Sequence, residues 1–490
     1  MILFLMRGLL LRFVILAGAL TLLASCTTST LAPRGQVDKG LTPQQVDAYV
    51  GNKASKPYTR RTSADLLGTP AQSLIRYVTA ETNILEFKNP ALGQELENKW
   101  GKAKTEGFAI AHFGDSLVHG GFAAEMARGR LQTLRGSAGR GMTFPYSLAN
   151  IYSQNDFQST FTGEWTSANS AQPSPRLPLG VSGFAARTSD TSASFSLNFY
   201  TAPELGKKRV KLFYSTNSAS YTLRIQSANF LHQVNLPNDG ALPRTQMLEL
   251  SFPEMSDTLR FELTSLGSNS GRFFEVHGIS IENTTPGVLY HSLGVGSANY
   301  GALLGQTYFE EQSAQLAPAL IVLDWGTNDI FSKNSIPPEL EKNMVQTIKK
   351  VRAQHPKALI VLTSAQDMTS RRRNITATWD FAILARRLAF ENDCLFYDWY
   401  RIAGGRASMA TWVAYGLTGP DHIHLTGLGY AVKGELFAQA ILNMLERVKS
   451  DPTLKNIEIK TTVATQPHSV VGWLKEVSAV PRKGLFDKRP

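Results

Sequence analysis

Five short runs of the chain are apolar at nearly every position, and this constrains the fold more than any other feature of the sequence. They are Ala109-Ile110-Ala111-His112-Phe113, Val288 to Leu293, Ala319-Leu320-Ile321-Val322-Leu323, Ala358-Leu359-Ile360-Val361-Leu362 and Cys394-Leu395-Phe396-Tyr397. A strand that is apolar on both faces must be covered on both faces, which is the condition of a parallel sheet sandwiched between helices. Helical periodicity fills the intervals, over Ala123 to Leu134, Ile336 to Ala353, Trp379 to Glu391 and Gly429 to Val448. The expected body is therefore an α/β domain with a doubly wound, parallel, five-stranded sheet.

One interval breaks the pattern. Between residues 157 and 287, segments such as Val210-Lys211-Leu212-Phe213-Tyr214, Tyr221 to Ile225, Met247 to Ser251 and Leu259 to Leu263 alternate apolar with polar residues. Regular short strands of this kind predict an antiparallel β-sandwich. Only one parallel strand precedes it, so the sandwich is expected as an insertion within the α/β domain, whose two parts are residues 71–156 and 288–450. Residues 451–490 read as a basic, weakly apolar C-terminal tail.

The first 25 residues carry Arg7 and Arg12 before an apolar run from Phe13 to Leu23, the pattern of a secretory signal peptide. The run ends Leu23-Ala24-Ser25-Cys26, which resembles a bacterial lipobox, so Cys26 is the expected lipidation site after cleavage. Residues 26–70, rich in Thr, Ser, Pro, Gln and Lys, read as a flexible tether. Threonine rather than aspartate at position 27 favours the outer membrane in the Gram-negative lipoproteins this leader resembles. The expected location is the periplasmic face of that membrane. Of the two cysteines, Cys394 is left alone in a strand and reads as a packed core residue. A disulfide scaffold and a cysteine-rich zinc module are excluded. The formal charge of +11 becomes +9 once the two leader arginines are removed, and points to an anionic neighbour.

Chemistry concentrates in three motifs: Gly114-Asp115-Ser116 after the first strand, Gly326-Thr327-Asn328-Asp329 after the third, and Asp421-His422-Ile423-His424 before the last helix. The carboxyl ends of parallel strands share one rim, which brings the first two together. A serine needs a base to become nucleophilic, and a histidine needs a partner to set its tautomer. Asp421 and His424 are spaced so that the carboxylate meets one imidazole nitrogen while the other faces Ser116. The backbone N–H of Ser116 and the amide of Asn328 supply donors for a tetrahedral oxyanion. His119 reads as a residue lining the site, His112 as a core histidine, Asp115 and Asp329 as braces of their turns, and Asp324 as pointing inward. Gln366-Asp367 reads as a turn on the same rim, Arg371 to Arg373 as a solvated basic loop, and Phe230 and Phe273 as sandwich core. The sequence shows no metal site, no cofactor-binding fingerprint and no nucleic-acid module.

These motifs, in this order, resemble the SGNH (GDSL) hydrolase superfamily, over roughly residues 105–155 and 288–450. The resemblance implies a flavodoxin-like sheet and a serine esterase with Ser116, Asp421 and His424 as its triad. It implies an oxyanion hole from Ser116, Asn328 and a glycine N–H. Here that last segment is Gly294-Val295-Gly296-Ser297-Ala298, so Ser297 stands where the family has glycine, with Gly296 the neighbouring candidate. An inserted jelly-roll sandwich is similar to bacterial peptidoglycan O-acetylesterases, as are the stretches Leu131 to Gly141 and Val276 to Asn283. That narrower resemblance implies removal of O-acetyl groups from cell-wall glycan at a membrane-anchored enzyme. Other acyl substrates, such as an exopolysaccharide acetyl ester, a lysophospholipid or a thioester, fit the same chemistry. A catalytically silent glycan-binding lipoprotein is the alternative of a different class.

Overall fold

The computed structural model of the chain describes residues 69–200, 206–217, 221–236, 245–267, 271–331, 333–370, 373–459 and 468–478. The leader, Cys26 and nearly all of the tether lie outside the described residues. Five strands, β1 (Phe108–Gly114), β2 (Val288–Gly294), β3 (Leu320–Asp324), β4 (Leu359–Thr363) and β5 (Leu395–Tyr397), form one sheet. Their spatial order is β2-β1-β3-β4-β5, with every neighbouring pair parallel. This is the flavodoxin-like order: the chain leaves β1 for β2 on one side and returns to β3 on the other, opening a crevice at the carboxyl ends.

The mostly apolar runs are explained by two cores. Phe113, Ile321, Leu323, Ile360 and Leu362 face one side of the sheet, while Ile110, Leu320, Val322, Leu359 and Val361 face the other. Each such side chain, fully buried, is worth about 1.5–3 kcal/mol. After β1 come a single turn, α1 (Ser116–His119), and α2 (Phe122–Arg135). Helices α3 (Pro338–Gln354) and α4 (Ala377–Glu391) cover the first face, and α2 with the long α5 (Gly427–Ser450) covers the second. Helices α2 and α5 approach closely at Gly434, where a Cβ would lie 2.3 Å from the Ala123 carbonyl.

Between β1 and β2 the chain builds two antiparallel sheets, one of six strands and one of five. Strand Tyr221–Ser227 shows why alternation marked them: its odd positions are buried and the residues between them are half-buried or exposed. The sandwich also takes a strand from before residue 157, because Gly139–Thr143 pairs with Phe274–Asn283. That strand is too short and glycine-rich to show alternation. The insertion is fused to the hydrolase body, since one apolar core runs from Phe261 and Phe195 through Phe144 and Phe113 to Leu323.

The described part of residues 451–490 is packed rather than solvated. Ile457 bridges to Phe87, and Val470, Val471, Trp473 and Leu474 of helix Val470–Ser478 join the core on the second face of the sheet. The Trp473 indole N–H donates to Ser73 Oγ at 3.1 Å. Its apolar residues come in short, separated groups, which hides this segment from compositional reading.

Candidate active site

Three strand ends converge on Ser116. Gly114 closes β1 in register with Gly294 of β2 and Asp324 of β3. A Cβ on Gly114 would lie 2.4 Å from Val118 Cγ2, and one on Gly294 would lie 2.1 Å from the His119 nitrogen. Only glycine permits these approaches, which hold the turn after β1 against the neighbouring strands. Asp115 then caps α1, its Oδ1 accepting from the Leu117 N–H at 2.9 Å. Ser116 is left in the first helical position, where a backbone N–H has no partner within the helix.

The loop before α5 reaches Ser116 from the far end of the chain. His424 Nε2 lies 2.8 Å from Ser116 Oγ, and His424 Nδ1 lies 2.6 Å from Asp421 Oδ2. Asp421 Oδ1 accepts from the N–H groups of Ile423 and His424, each at 3.0 Å. Partial burial raises the Asp421 carboxyl, but the hydrogen bonds from His424 and from these two N–H groups outweigh it and hold it down to about 2. An ionised Asp421 accepts a hydrogen bond from the Nδ1–H, which selects the tautomer whose Nε2 lone pair faces the serine hydroxyl.

The segment after β2 supplies the other side. Ser297 is exposed and has φ +64°, the left-handed region that favours glycine, so the position carries the conformation expected of the family's glycine despite its Cβ. Gly296 has no such φ and open space around it. Asn328, in the short helix Thr327–Ile330, donates from Nδ2 to the Ala298 carbonyl at 2.8 Å. Its neighbour Asp329 accepts from the Tyr300 N–H, with both oxygens at 3.3 Å. The Gly326–Asp329 block is thus stitched to the 295–300 loop. Burial pushes the Asp115 carboxyl up to about 6 against the Leu117 N–H. It pushes Asp329 up to about 7 against the Tyr300 N–H, with the charge of Asp115 adding to the rise.

Behind the rim lies a buried polar network. Asp324 accepts from Lys433 Nζ at 2.9 Å and from the Thr363 hydroxyl at 2.6 Å, and His112 Nε2 sits 3.2 Å from it. His112 Nδ1 contacts the Tyr290 hydroxyl at 2.7 Å. Burial alone would raise Asp324, but Lys433, His112 and Thr363 hold it far below the carboxylate range. Burial lowers His112, which makes it a neutral core histidine. Sequence reading missed Lys433. Its signal was a lysine on the buried stripe of α5, between Val432 and Leu436.

The remaining candidates divide clearly. His119 is buried, with Nδ1 3.1 Å from the Gly294 carbonyl and Nε2 3.0 Å from the Tyr152 carbonyl. It bridges the end of β2 to residues leading into the sandwich, rather than presenting a nitrogen to Ser116. Gln366 and Asp367 are buried at the end of the β4 segment. Arg373 sits exposed in a two-stranded ribbon, and Arg371 and Arg372 lie outside the described residues. Phe230 packs against the sandwich core, and the Arg187 guanidinium covers the Phe273 ring at 4.3 Å. Cys394 is buried, its thiol pushed up to about 12 by that burial.

Residues 269–432 match the GDSL-like Lipase/Acylhydrolase family. The matched span holds Asn328, Asp421 and His424 and begins past Ser116, as the insertion requires. None of the curated proteins matches the sequence. Among solved structures, a peptidoglycan O-acetylesterase is similar at 22% identity and a TM-score of 0.59, over 73% of this chain and 97% of its own. A family two carbohydrate esterase from Cellvibrio japonicus aligns at 12% identity and a TM-score of 0.24, over 59% of this chain and 99% of that one. An acetyl-xylooligosaccharide esterase from Geobacillus Stearmophilus aligns at 16% identity and a TM-score of 0.26, over 32% of this chain and 73% of that one. The last two scores are too low to bear on the fold. The sheet order, the likeness in fold to the first structure and the family match point one way: residues 269–432 form a domain that matches the GDSL-like Lipase/Acylhydrolase family.

Proposed function

We propose that the protein is a lipid-anchored serine esterase that removes O-acetyl groups from cell-wall glycan. The observation that carries the reading is the continuous chain Ser116 Oγ, His424, Asp421, with contacts of 2.8 and 2.6 Å. In the first half-reaction Ser116 Oγ attacks the acetyl carbonyl while its proton passes to His424 Nε2. Asp421 steadies the imidazolium through Nδ1, and the oxyanion draws on the N–H groups of Ser116 and Ser297 and the amide of Asn328. Collapse breaks the ester C–O bond, and the sugar oxygen leaves with the proton from Nε2. Water then gives its proton to His424, attacks the acetyl-serine and releases acetate, returning the proton to Ser116.

Two features favour a glycan substrate and a membrane location. The likeness to a peptidoglycan O-acetylesterase covers 73% of this chain and 97% of that structure. The Leu23-Ala24-Ser25-Cys26 leader and the net charge of +9 after its removal suit an enzyme held beside an anionic membrane and wall. The test is acetate release from O-acetylated sacculi by the wild type and by Ser116→Ala. The expected result is release by the wild type alone. Release by both proteins, or activity confined to long-chain lipid esters, overturns the reading. Cys26→Ala, expected to move the protein from the membrane to the soluble fraction, tests the anchor separately.

A further inference from the structure

The loop that carries Asp421 and His424 is shaped largely by itself. The Gly419 N–H donates to the His424 carbonyl at 2.6 Å, the His422 N–H to the Gly419 carbonyl, and Asp421 Oδ1 collects two N–H groups of its own loop. These bonds give the loop its form and say nothing of where it sits. Among the described residues, two side-chain bonds tie residues 419–425 to distant elements other than Ser116. One is a long contact of 3.4 Å between the Thr369 hydroxyl and His422 Nδ1. The other is Gln366 Nε2 donating to the Ile423 carbonyl at 2.5 Å.

Gln366 is placed to do this firmly. It follows β4, is 3% exposed, and its Oε1 accepts from the Trp399 indole N–H at 3.3 Å. An indole can only donate, so the amide has one satisfactory orientation, with Nε2 toward Ile423. The adjacent Asp367 fixes the same turn, accepting from Asn374 Nδ2 at 2.6 Å and from the Met409 N–H at 3.0 Å. Beside them a small cavity is lined by Gln366, Asp367, Met409, Trp412 and Leu425. Packing under the loop therefore leaves slack, and the hydrogen bond to Ile423 sets its height one residue before the histidine.

We propose that Gln366 is a positioning residue that holds His424 within reach of Ser116. A displacement of about 1 Å stretches the 2.8 Å contact past hydrogen-bond range, and errors of that size cost about 100-fold in rate. The inference rests on the serine–histidine reading given above.

Its test uses the full chain and a soluble acetyl ester, with Gln366→Met, which keeps the bulk and loses the donor, and Gln366→Glu. For Gln366→Met, kcat is expected to fall about 10- to 100-fold with KM within about twofold, and labelling of Ser116 by a fluorophosphonate to slow in parallel. Gln366→Glu sets a carboxylate against the Ile423 carbonyl, and protonation restores a donor. Its activity relative to wild type is therefore expected to rise as pH falls through the range where a buried glutamate protonates. Variants with kcat within twofold of wild type and a lowered melting temperature overturn the proposal, leaving Gln366 a stabilising residue only. His424→Ala in the same assay keeps the two levels apart. If it stays active, the underlying reading fails. If it is inactive while the Gln366 variants behave as wild type, only the positioning role fails.

Discussion

The Asp324 carboxylate and the Lys433 ammonium meet 2.9 Å apart inside the protein, joining the end of β3 to the N-terminal part of α5. Both side chains are almost wholly buried, so neither charge has water to fall back on. Lys433→Met is expected to cost about 3–5 kcal/mol in urea unfolding, because it strands Asp324 as an unpaired buried charge. Adding Asp324→Asn is expected to recover much of that loss. If the single variant unfolds like the wild type, the pair does not hold β3 to α5.

Asp421→Asn keeps the shape of the triad loop and changes the group facing His424 Nδ1. An amide can turn its NH2 toward Nδ1 and favour the wrong tautomer, so kcat is expected to fall about 100- to 10,000-fold with little change in melting temperature. The depressed carboxyl also sets a pH window. Its contribution to stability is fully present above the unfolded value of 3.8 and is lost only as pH falls toward about 2. The acid limb of a kcat/KM profile above pH 4 is therefore expected to belong to a group other than Asp421.

Asp329 behaves in the opposite sense. Its folded carboxyl is pushed up to about 7 from 3.8, so the folded state holds a proton that the unfolded chain has already released. Stability is expected to decline as pH rises from about 4 to 7 and then to level off. Asp329→Asn retains an acceptor for the Tyr300 N–H and removes the titration. Melting temperatures at pH 5 and pH 8 should differ less for this variant than for the wild type. An unchanged difference excludes Asp329 as the source.

In the proposed mechanism Ser297 contributes to the oxyanion hole through its backbone N–H. Ser297→Gly relieves a side chain held at φ +64° and keeps the N–H, so activity is expected within about threefold of wild type and stability unchanged or up to about 1 kcal/mol higher. Ser297→Pro removes the N–H and forbids the left-handed φ, and kcat is expected to fall about 100-fold or more. Loss of activity in Ser297→Gly would mean that the hydroxyl itself takes part.

Much of this was legible from residue order. Runs apolar at nearly every position admit only burial on both faces, so β1 to β5 and helices α2 to α5 could be placed to within about two residues, while the short helix Phe309–Ala314 went unseen. The strands at 221–227 and 258–265 were equally plain, because a half-buried strand writes its two faces as alternation. Ser116, Asn328, Asp421 and His424 could be named because each sits beside a strand end or a helix entry. Gly139–Thr143 was hidden because glycine carries no hydrophobic signal, and Trp473 because its apolar cluster, Val470 to Leu474, is too short to show a helical period.

Sequence alone therefore determined the class of fold, the insertion and the identity of the groups that face one another at the rim. Tertiary structure decided what those groups rest on: Lys433 on Asp324, Asn328 on Ala298, Gln366 on Ile423, and His119 between Gly294 and Tyr152. The physical reason is range. Hydrophobic period is a property of adjacent residues and survives in the sequence, whereas a hydrogen bond between residues 308 apart, as from His424 to Ser116, leaves no periodic mark and exists only once the sheet has brought its ends together.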